Sequence, residues 1–459
     1  RFQELPVVTV QLPMFNEKFV VDRLLESVAA LDYPQDKLEI QILDDSTDDT
    51  TEQCYRKVEE LKSRGFDAVC IHRTDRTGFK AGALEAATKV AKGEFLLILD
   101  ADFVPEPDLL QKTIHFFTDE NVGLVQTRWG HINREYNLLT RIQGMYLDGH
   151  FAMEQTARNR SGRFFTFNGT AGIWRKYVIG DAGGWSHDTL TEDMDLSYRV
   201  QLRGWRFIYL NDVVTPAELP VDMDGFKSQQ HRWTKGSIQV CQKILLDIWR
   251  SNAPLKAKVE ATTHLTCNYS YLLLALLCFL VYPICTQRIP ENETVFMWFV
   301  NVALFFMTSV AVCIFYMSAQ IVVRPKSWWK ELPYLPLLLT LSVGMAVNNA
   351  KAVLEAIFGH QSAFVRTPKY GVDRKEDRRH VSQLKRNGYR AIKSVVIPVL
   401  EIACGTFFLN LIIIMIRQGH YLSPILMIPF LGFYYTGFCS LGRMISNLLP
   451  AKQTAKAKN

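Results

Sequence analysis

Paired cysteines are missing from this sequence. Its nine cysteines are scattered singly, with no CxxC pair and no Cys/His spacing that would hold zinc, and their order frames no disulfide scaffold. Cys54, Cys70 and Cys241 fall in a charged half. Cys267, Cys278, Cys285, Cys313, Cys404 and Cys439 lie in or beside apolar runs, where small buried hydrophobes are the expectation. An excess of one charge is also lacking. The formal net charge is only +6, and the basic surplus gathers in short loops beside apolar segments, which is membrane-surface charge rather than a nucleic-acid footprint. No DNA- or RNA-binding signature is present, so nucleic acid is excluded as a partner. No signal peptide is read, and the chain opens on Arg1 rather than Met; a trimmed start is expected, with room for membrane segments upstream.

Two unlike halves make up what is present. Residues 1–250 carry charge throughout and read as an α/β enzyme, whereas long apolar runs begin near residue 263. A bilayer core takes roughly 20 apolar residues in a helix. Segments 264–286, 295–323, 395–417 and 421–447 meet that need, giving two spans within 263–323 and two within 395–447. A fifth stretch, 333–358, starts apolar but turns polar at Asn348, Asn349, Lys351 and Glu355. If it also crossed, the basic stretch from Arg366 to Lys393 would face outward, against the positive-inside rule. An interfacial or re-entrant helix is therefore expected there, with a bare span as the alternative, and with the basic segment 360–393 and the charged half on the cytosolic face. Residues 138–155, with Arg141 and His150 among apolar residues, read as an amphipathic interfacial helix or as a core-packed one, and 229–250 as another interfacial helix. Asn292-Glu293-Thr294 is a glycosylation sequon on the predicted outer loop.

Within the first half, strand and helix alternate. Val7–Leu12, "LEIQILDD", "DAVCIHR" and "EFLLILDAD" read as strands, with a helix opening at Asn16 and Glu17 and another over Thr50–Arg64. A mostly parallel sheet follows, and such sheets bind ligands at the carboxyl ends of their strands. The polar motifs sit at those ends. Asp100 and Asp102 suit a hard divalent cation, or one of them caps the next turn. Asp44 and Asp45 are equally open to capping. Lys80, between Gly78 and Gly82, is a phosphate contact or a surface lysine. Asp193 is a catalytic carboxylate or a helix cap before "MDLSYRVQL".

Taken in order, PMFNE (13–17), LDD (43–45), FKAG (79–82), DAD (100–102), FNGTAG (167–172), TED (191–193) and QQHRW (229–233) resemble the processive family-2 inverting glycosyltransferases of GT-A fold. "VQTRWGHIN", "AGGWSHDTLTEDMDLSYR" and "QQHRWTKG" narrow the resemblance to cellulose-synthase-like mannan and xyloglucan-backbone synthases and their bacterial relatives. "FVRTPK" (364–369) resembles the gating loop of cellulose synthases, with Arg366 departing from the usual Val. The implied fold is a GT-A domain fused to an α-helical transmembrane channel region.

The resemblance places Phe15, Glu17 and Asp45 around the nucleobase and ribose, Lys80, Gln229 and Arg232 at the diphosphate, and Thr367 and Lys369 in the gating-like loop. It makes Asp102, supported by Asp100, the ligands of Mg²⁺ or Mn²⁺, and Asp193 of the Thr191-Glu192-Asp193 motif the base. Trp233 would face the next sugar, with Phe167, Asn168, Gly169 and Thr170 shaping the acceptor end. Trp129, Trp185 and Trp205 line the sugar path or pack the core, and Asp195 reads as structural. The activity implied is polymerisation of a β-linked polysaccharide at a bacterial inner membrane or Golgi membrane. UDP-glucose and a β-1,4-glucan are the first choice. GDP-mannose is second, and a ceramide or polyprenyl glucosyltransferase is the other reading. Oligomeric state leaves no mark in the sequence.

Overall fold

The computed structural model describes residues 1–286, 310–360, 367, 369–372, 395–417 and 424–448. The sequon, most of the basic stretch 366–393, the first part of the segment 295–323 and residues 364–366 and 368 of the gating-like motif lie outside the described residues.

One seven-stranded sheet organises the first half, in the order β3-β2-β1-β4-β6-β5-β7. Strands β1 (Val8–Met14), β2 (Leu38–Asp44), β3 (Asp67–His72) and β4 (Phe95–Ile98) are all parallel. Strand β6 (Gly172–Arg175) runs antiparallel between β4 and β5 (Val122–His131), and β7 (Arg206–Ala217) lies parallel to β5. Every residue of β2 is buried, as in a strand covered on both faces. Alternation divides the strands between two cores. Phe95 and Leu97 join Val8, Val10 and Leu12 on one face, whereas Leu96 and Ile98 join Leu124 and Trp174 on the other.

Helices α1 (Val21–Ala29), α2 (Thr50–Ser63) and α4 (Leu109–Thr113) contribute to the first core, and α3 (Phe79–Val90), α7 (Lys176–Asp181) and α8 (Glu192–Leu202) to the second. The first helix begins at Val21, not at Asn16. Asn16 sits at φ 55°, left-handed backbone that no helix accommodates, so the intervening residues form a loop over the strand ends. Parallel register sets those ends side by side: the Asp45 amide donates to the Met14 carbonyl, and that of Leu99 to Gln11.

Beyond the sheet, α5 (Leu138–Asp148) runs into a π-helical stretch, Gly149–Gln155, and then α6 (Thr156–Arg160). Leu139, Ile142 and Met145 of α5 pack on Leu335, Leu338 and Leu341, and Arg141 grips Glu331 through two bonds of 3.0 and 3.1 Å. The QQHRW motif lies within α9 (Met223–Arg250), opened by Asp222, whose carboxylate accepts from the Gly225 amide.

The helical half comprises α10 (Leu255–Thr266), α11 (Ser270–Thr286), α12 (Val310–Val323), α13 (Leu335–Gly344), α14 (Ala346–Ile357), α15 (Val396–Arg417) and α16 (Pro424–Leu448). Among the described residues three stretches are long and apolar enough to cross a membrane, Leu255–Pro283, Trp328–Ile357 and Val396–Arg417, as in an integral membrane protein. The most apolar window of Trp328–Ile357 is 61% buried, against 11% and 22% for the other two, so it is the one wrapped by protein. Its polar end packs on α9: Glu355 lies 3.1 Å from both His231 and Lys235. A second tie joins α9 to α15 and α16. The buried Lys227 ammonium lies 2.5 Å from Glu401, 2.9 Å from the Ser440 hydroxyl and 3.1 Å from the Thr436 carbonyl.

Candidate active site

The loops at the carboxyl ends of β1, β2 and β4 line a single cleft, closed on its far side by α8, α9 and the segment around Lys369. Phe15, Glu17, Asp45, Lys80, Asp100 and Asp102 line it from the sheet. Asn168, Gly169, Thr191, Glu192 and Asp193 line it from the middle of the chain, and Gln229, Arg232, Trp233, Thr367 and Lys369 from the far side. The backbone is strained at this point. Among the described residues the non-glycine positions with positive φ are Asn16, Phe79 and Ala171, one in each of the PMFNE, FKAG and FNGTAG motifs. Such conformations persist where the surroundings over-determine them.

Each acidic pair separates into distinct jobs. Asp44 is fully buried and spent on the fold, accepting from the Thr51 hydroxyl at 2.7 Å and the Ser46 amide, with His72 Nδ1 2.7 Å away. Asp45 lines the cleft, with both oxygens held by Arg73 at 2.8 and 2.6 Å. Asp100 takes the Lys80 ammonium at 2.5 Å, and Lys80 also donates to the Gly169 carbonyl at 2.8 Å. Burial opposes the charge on Lys80, but Asp100, Glu192 and Asp193 outweigh it and raise its pKa. Asp102 takes the Lys369 ammonium at 2.7 Å. Glu218 anchors the same segment by accepting from the amides of Tyr370 and Val372, and burial lifts its pKa.

These donors suit a hard divalent cation. Asp100 and Asp102 each commit one oxygen to a lysine and face the cleft, and such ions need only one or two carboxylates when phosphates complete the shell. Among the described residues no group of three acidic, His or Cys side chains forms a self-sufficient metal cage.

Asp193 stands apart electrically. It sits in the first turn of α8, whose N-cap is Thr191, so it is not the cap; one carboxylate oxygen takes the Met194 amide. Burial first, and then the neighbouring Glu192 carboxylate, push its pKa up to about 7 against the pull of Lys80 and Arg232. That is the range for a general base. Gly169 lets the FNGTAG loop reach it. At φ +80° it favours glycine, and a Cβ there would sit 2.9 Å from the Asp193 carboxylate. Gly236 does the same for α9, since a Cβ would fall 2.5 Å from the Thr191 methyl. Asp195, by contrast, is fully buried between Arg199 and Lys243 at 2.8 and 2.9 Å.

A second cavity opens where the cleft ends. Trp129, Leu147, Asn168, Thr191, Asp193 and Trp233 line both spaces. Tyr146, Phe151, Phe315 and Tyr316 add aromatic rings, and His150, Glu154, Arg158, Gln230 and His264 are among its polar lining. The π-helical stretch brings His150, Phe151 and Glu154 to this wall. Phe167 borders this cavity, but its ring is mostly core, edge-on to Trp174. Thr170 borders neither space; its hydroxyl accepts from the Asp100 amide and steadies that loop. Trp185 packs edge-on to Trp174, and the Trp205 indole donates to Asp181, so both belong to packing rather than to the cavities. Arg76 lines the cleft and was not singled out in the sequence. Its only local signal is a basic residue two before a Gly-led helix turn.

An acidic and cationic cleft over the strand ends of a mostly parallel sheet, fused to membrane-competent helices, defines a GT-A glycosyltransferase architecture. Residues 6–236 match the family described as "Glycosyltransferase like family 2", and residues 173–419 match "Cellulose synthase". The chain belongs to these glycosyltransferase 2 and cellulose synthase families. It is 45% identical over 251 residues to glucomannan 4-beta-mannosyltransferase 2 of Arabidopsis thaliana, covering 54% of this chain and 47% of that protein. It is 41% identical over 269 residues to glucomannan 4-beta-mannosyltransferase 1 of Oryza sativa subsp. japonica, covering 58% and 51%. The chain thus spans about half the length of the curated relatives it matches. In fold it is similar to the mannosyltransferase PcManGT of Pyrobaculum calidifontis, solved with GDP-Man and Mn²⁺, at TM-score 0.54 and 20% identity, covering 78% of this chain and 89% of that one.

Proposed function

We propose that the protein is an inverting hexosyltransferase that extends a β-linked polysaccharide and passes it into the membrane region, with mannose from GDP-mannose as the favoured donor. The observation that carries this reading is the meeting of the charged cleft and the aromatic cavity at Asp193 and Trp233. A transferase acting once on a small acceptor needs the first space but not the second. The donor choice departs from the UDP-glucose expectation because both curated relatives are named mannosyltransferases. The sequence motifs are common to glucan and mannan synthesis and do not separate them.

In this mechanism Lys80 and Arg232 bind the diphosphate, and Phe15 bounds the base. Asp102 and Asp100 would hold Mg²⁺ or Mn²⁺, which offsets charge on the departing diphosphate. Trp233 offers a flat apolar face to the terminal sugar of the acceptor. Asp193 takes the proton from the acceptor hydroxyl as its oxygen bonds to the donor's anomeric carbon and the carbon–phosphate oxygen bond breaks. The proton ends on Asp193, the electron pair on the diphosphate, and the anomeric configuration inverts. A base near pKa 7 is half ionised at neutral pH, so it can both accept and release this proton.

The helices Leu255–Pro283 and Val396–Arg417 would span the bilayer, while α14, tied through Glu355 to α9, would lie at the cytosolic interface. Incubating the protein with GDP-mannose or UDP-glucose and Mn²⁺, followed by linkage analysis, tests the donor. β-1,4-linked mannan is expected. A glucan made only from UDP-glucose would return the donor to glucose, and no transfer from either would remove the activity.

A further inference from the structure

Among the described residues lining the cleft, Arg76 is a cation that the mechanism leaves idle. Arg76 lies on the turn between β3 and α3 and lines the cleft beside Phe15. Its guanidinium carbon is 3.3 Å from the centroid of the Phe15 ring, a separation that only a face-on stack reaches, and 5.3 Å from that of Phe79. Among the described residues it has no carboxylate partner; both oxygens of the nearby Asp45 are taken by Nε and Nη2 of Arg73. Its Nε is shut from solvent without a hydrogen bond, and burial lowers its pKa against the pull of Asp45. The turn is also fixed. The Asp75 carboxylate accepts from the Thr77 amide and hydroxyl at 2.8 and 2.6 Å, and the Phe79 amide donates to the Arg76 carbonyl at 2.8 Å.

A half-buried guanidinium whose Nε lacks a hydrogen bond, lying over a ring face, suits a planar pair of acceptors. In a nucleotide sugar the candidates are phosphate oxygens and the edge of the base. The phosphates have Lys80 and Arg232. Stacked on Phe15, the guanidinium lies parallel to that ring, so a base continuing the same plane meets its fork edge-on. Guanine offers O6 and N7 side by side, the pair an arginine fork matches. Uracil places an N–H between its two carbonyls and gives the fork a single acceptor.

We propose that Arg76, seated on Phe15, reads the O6/N7 edge of guanine and makes the cleft select guanine over uracil nucleotides. This rests on the reading of the cleft as a nucleotide-sugar site. The test titrates the full chain in lipid nanodiscs, with Mn²⁺ present, against GDP and against UDP by calorimetry. Wild type should bind GDP tighter than UDP by about tenfold or more. Arg76→Ala should weaken GDP by a similar factor and leave UDP within about twofold, collapsing the ratio. Arg76→Lys, which keeps the charge without the fork, should collapse it too, and retained UDP binding shows that either variant is folded. Equal losses for both nucleotides would assign Arg76 to the phosphates and overturn the proposal, as would a wild type with no guanine preference. Failure of wild type to bind either nucleotide would remove the donor-site reading itself, and this proposal with it.

Discussion

The two spaces that meet at Asp193 share part of their lining and differ in the rest: acidic and basic groups gather in the first, and aromatic rings enter the second. The cleft walls carry Asp45, Lys80, Asp100, Asp102, Glu192 and Arg232, most of them already ion-paired or hydrogen-bonded. The cavity beyond keeps Trp129 and adds the aromatic rings of Tyr146, Phe151, Phe315 and Tyr316, together with polar groups from His150, Glu154, Arg158, Gln230 and His264. Fixed charges hold a charged donor and stabilise a leaving group, but they would also trap a product. Flat aromatic walls contact a neutral sugar chain without fixing its register. On the proposed function, the difference divides chemistry and passage between adjoining spaces, with Asp193 and Trp233 lining both.

The largest test of that division is at the junction. Asp193→Asn should lower turnover by about 10²–10⁴-fold while nucleotide binding survives, measured by transfer rate against calorimetric affinity. Retained turnover would move the base elsewhere. Next in size is the tie between the two halves of the molecule. Lys227→Met leaves Glu401 buried without its cation and should cost about 3–5 kcal/mol of stability, read by denaturation in detergent. Adding Glu401→Gln should recover much of it. Within the second cavity, Tyr316→Ala should shorten the product and raise the apparent acceptor KM by about tenfold, with donor affinity unchanged. The smallest effect concerns pH. Asp193 must be ionised to act, so kcat/KM should rise with pH through about 7. Glu192→Gln removes a like charge beside Asp193, and that limb should then shift to lower pH by on the order of one unit.

The same contrast explains what could be read from sequence. Strands β1, β2 and β4 are buried on both faces, so they read as unbroken apolar runs, and each ends in the motif that reaches the cleft. Strand β5 is buried over its first six residues but carries Gly123, Gln126 and Thr127 among them, and β7 mixes exposed and buried positions, with register shifts in their pairing, so neither reads as an apolar run. The cleft residues were legible because short motifs fix them at strand ends. Arg76 was not, because "HRTDRTGFK" looks like any basic surface turn until Phe15 is laid beneath it. The far wall of the second cavity escaped for a similar reason, whereas Trp129, Asn168 and Trp233 were expected near the acceptor. His150 and Glu154 reach it through a π-helical stretch that helical spacing does not predict, and Tyr316 comes from a helix more than a hundred residues away in sequence. Lys227 and Glu401 are 174 positions apart, so no local pattern announces their pairing. Thr170 shows the converse: a motif position can serve the fold, here by steadying Asp100, rather than touch the ligand space.

One measurement bears most directly on a donor cleft that opens into a passage: the size of the product made by the full chain in nanodiscs with radiolabelled GDP-mannose. If the cavity beyond Trp233 retains the growing chain, long glycans should form from the first turnovers, and diluting the enzyme should reduce their number but not their length. A single sugar on extracted lipid, or chains that shorten in proportion to dilution, would contradict it.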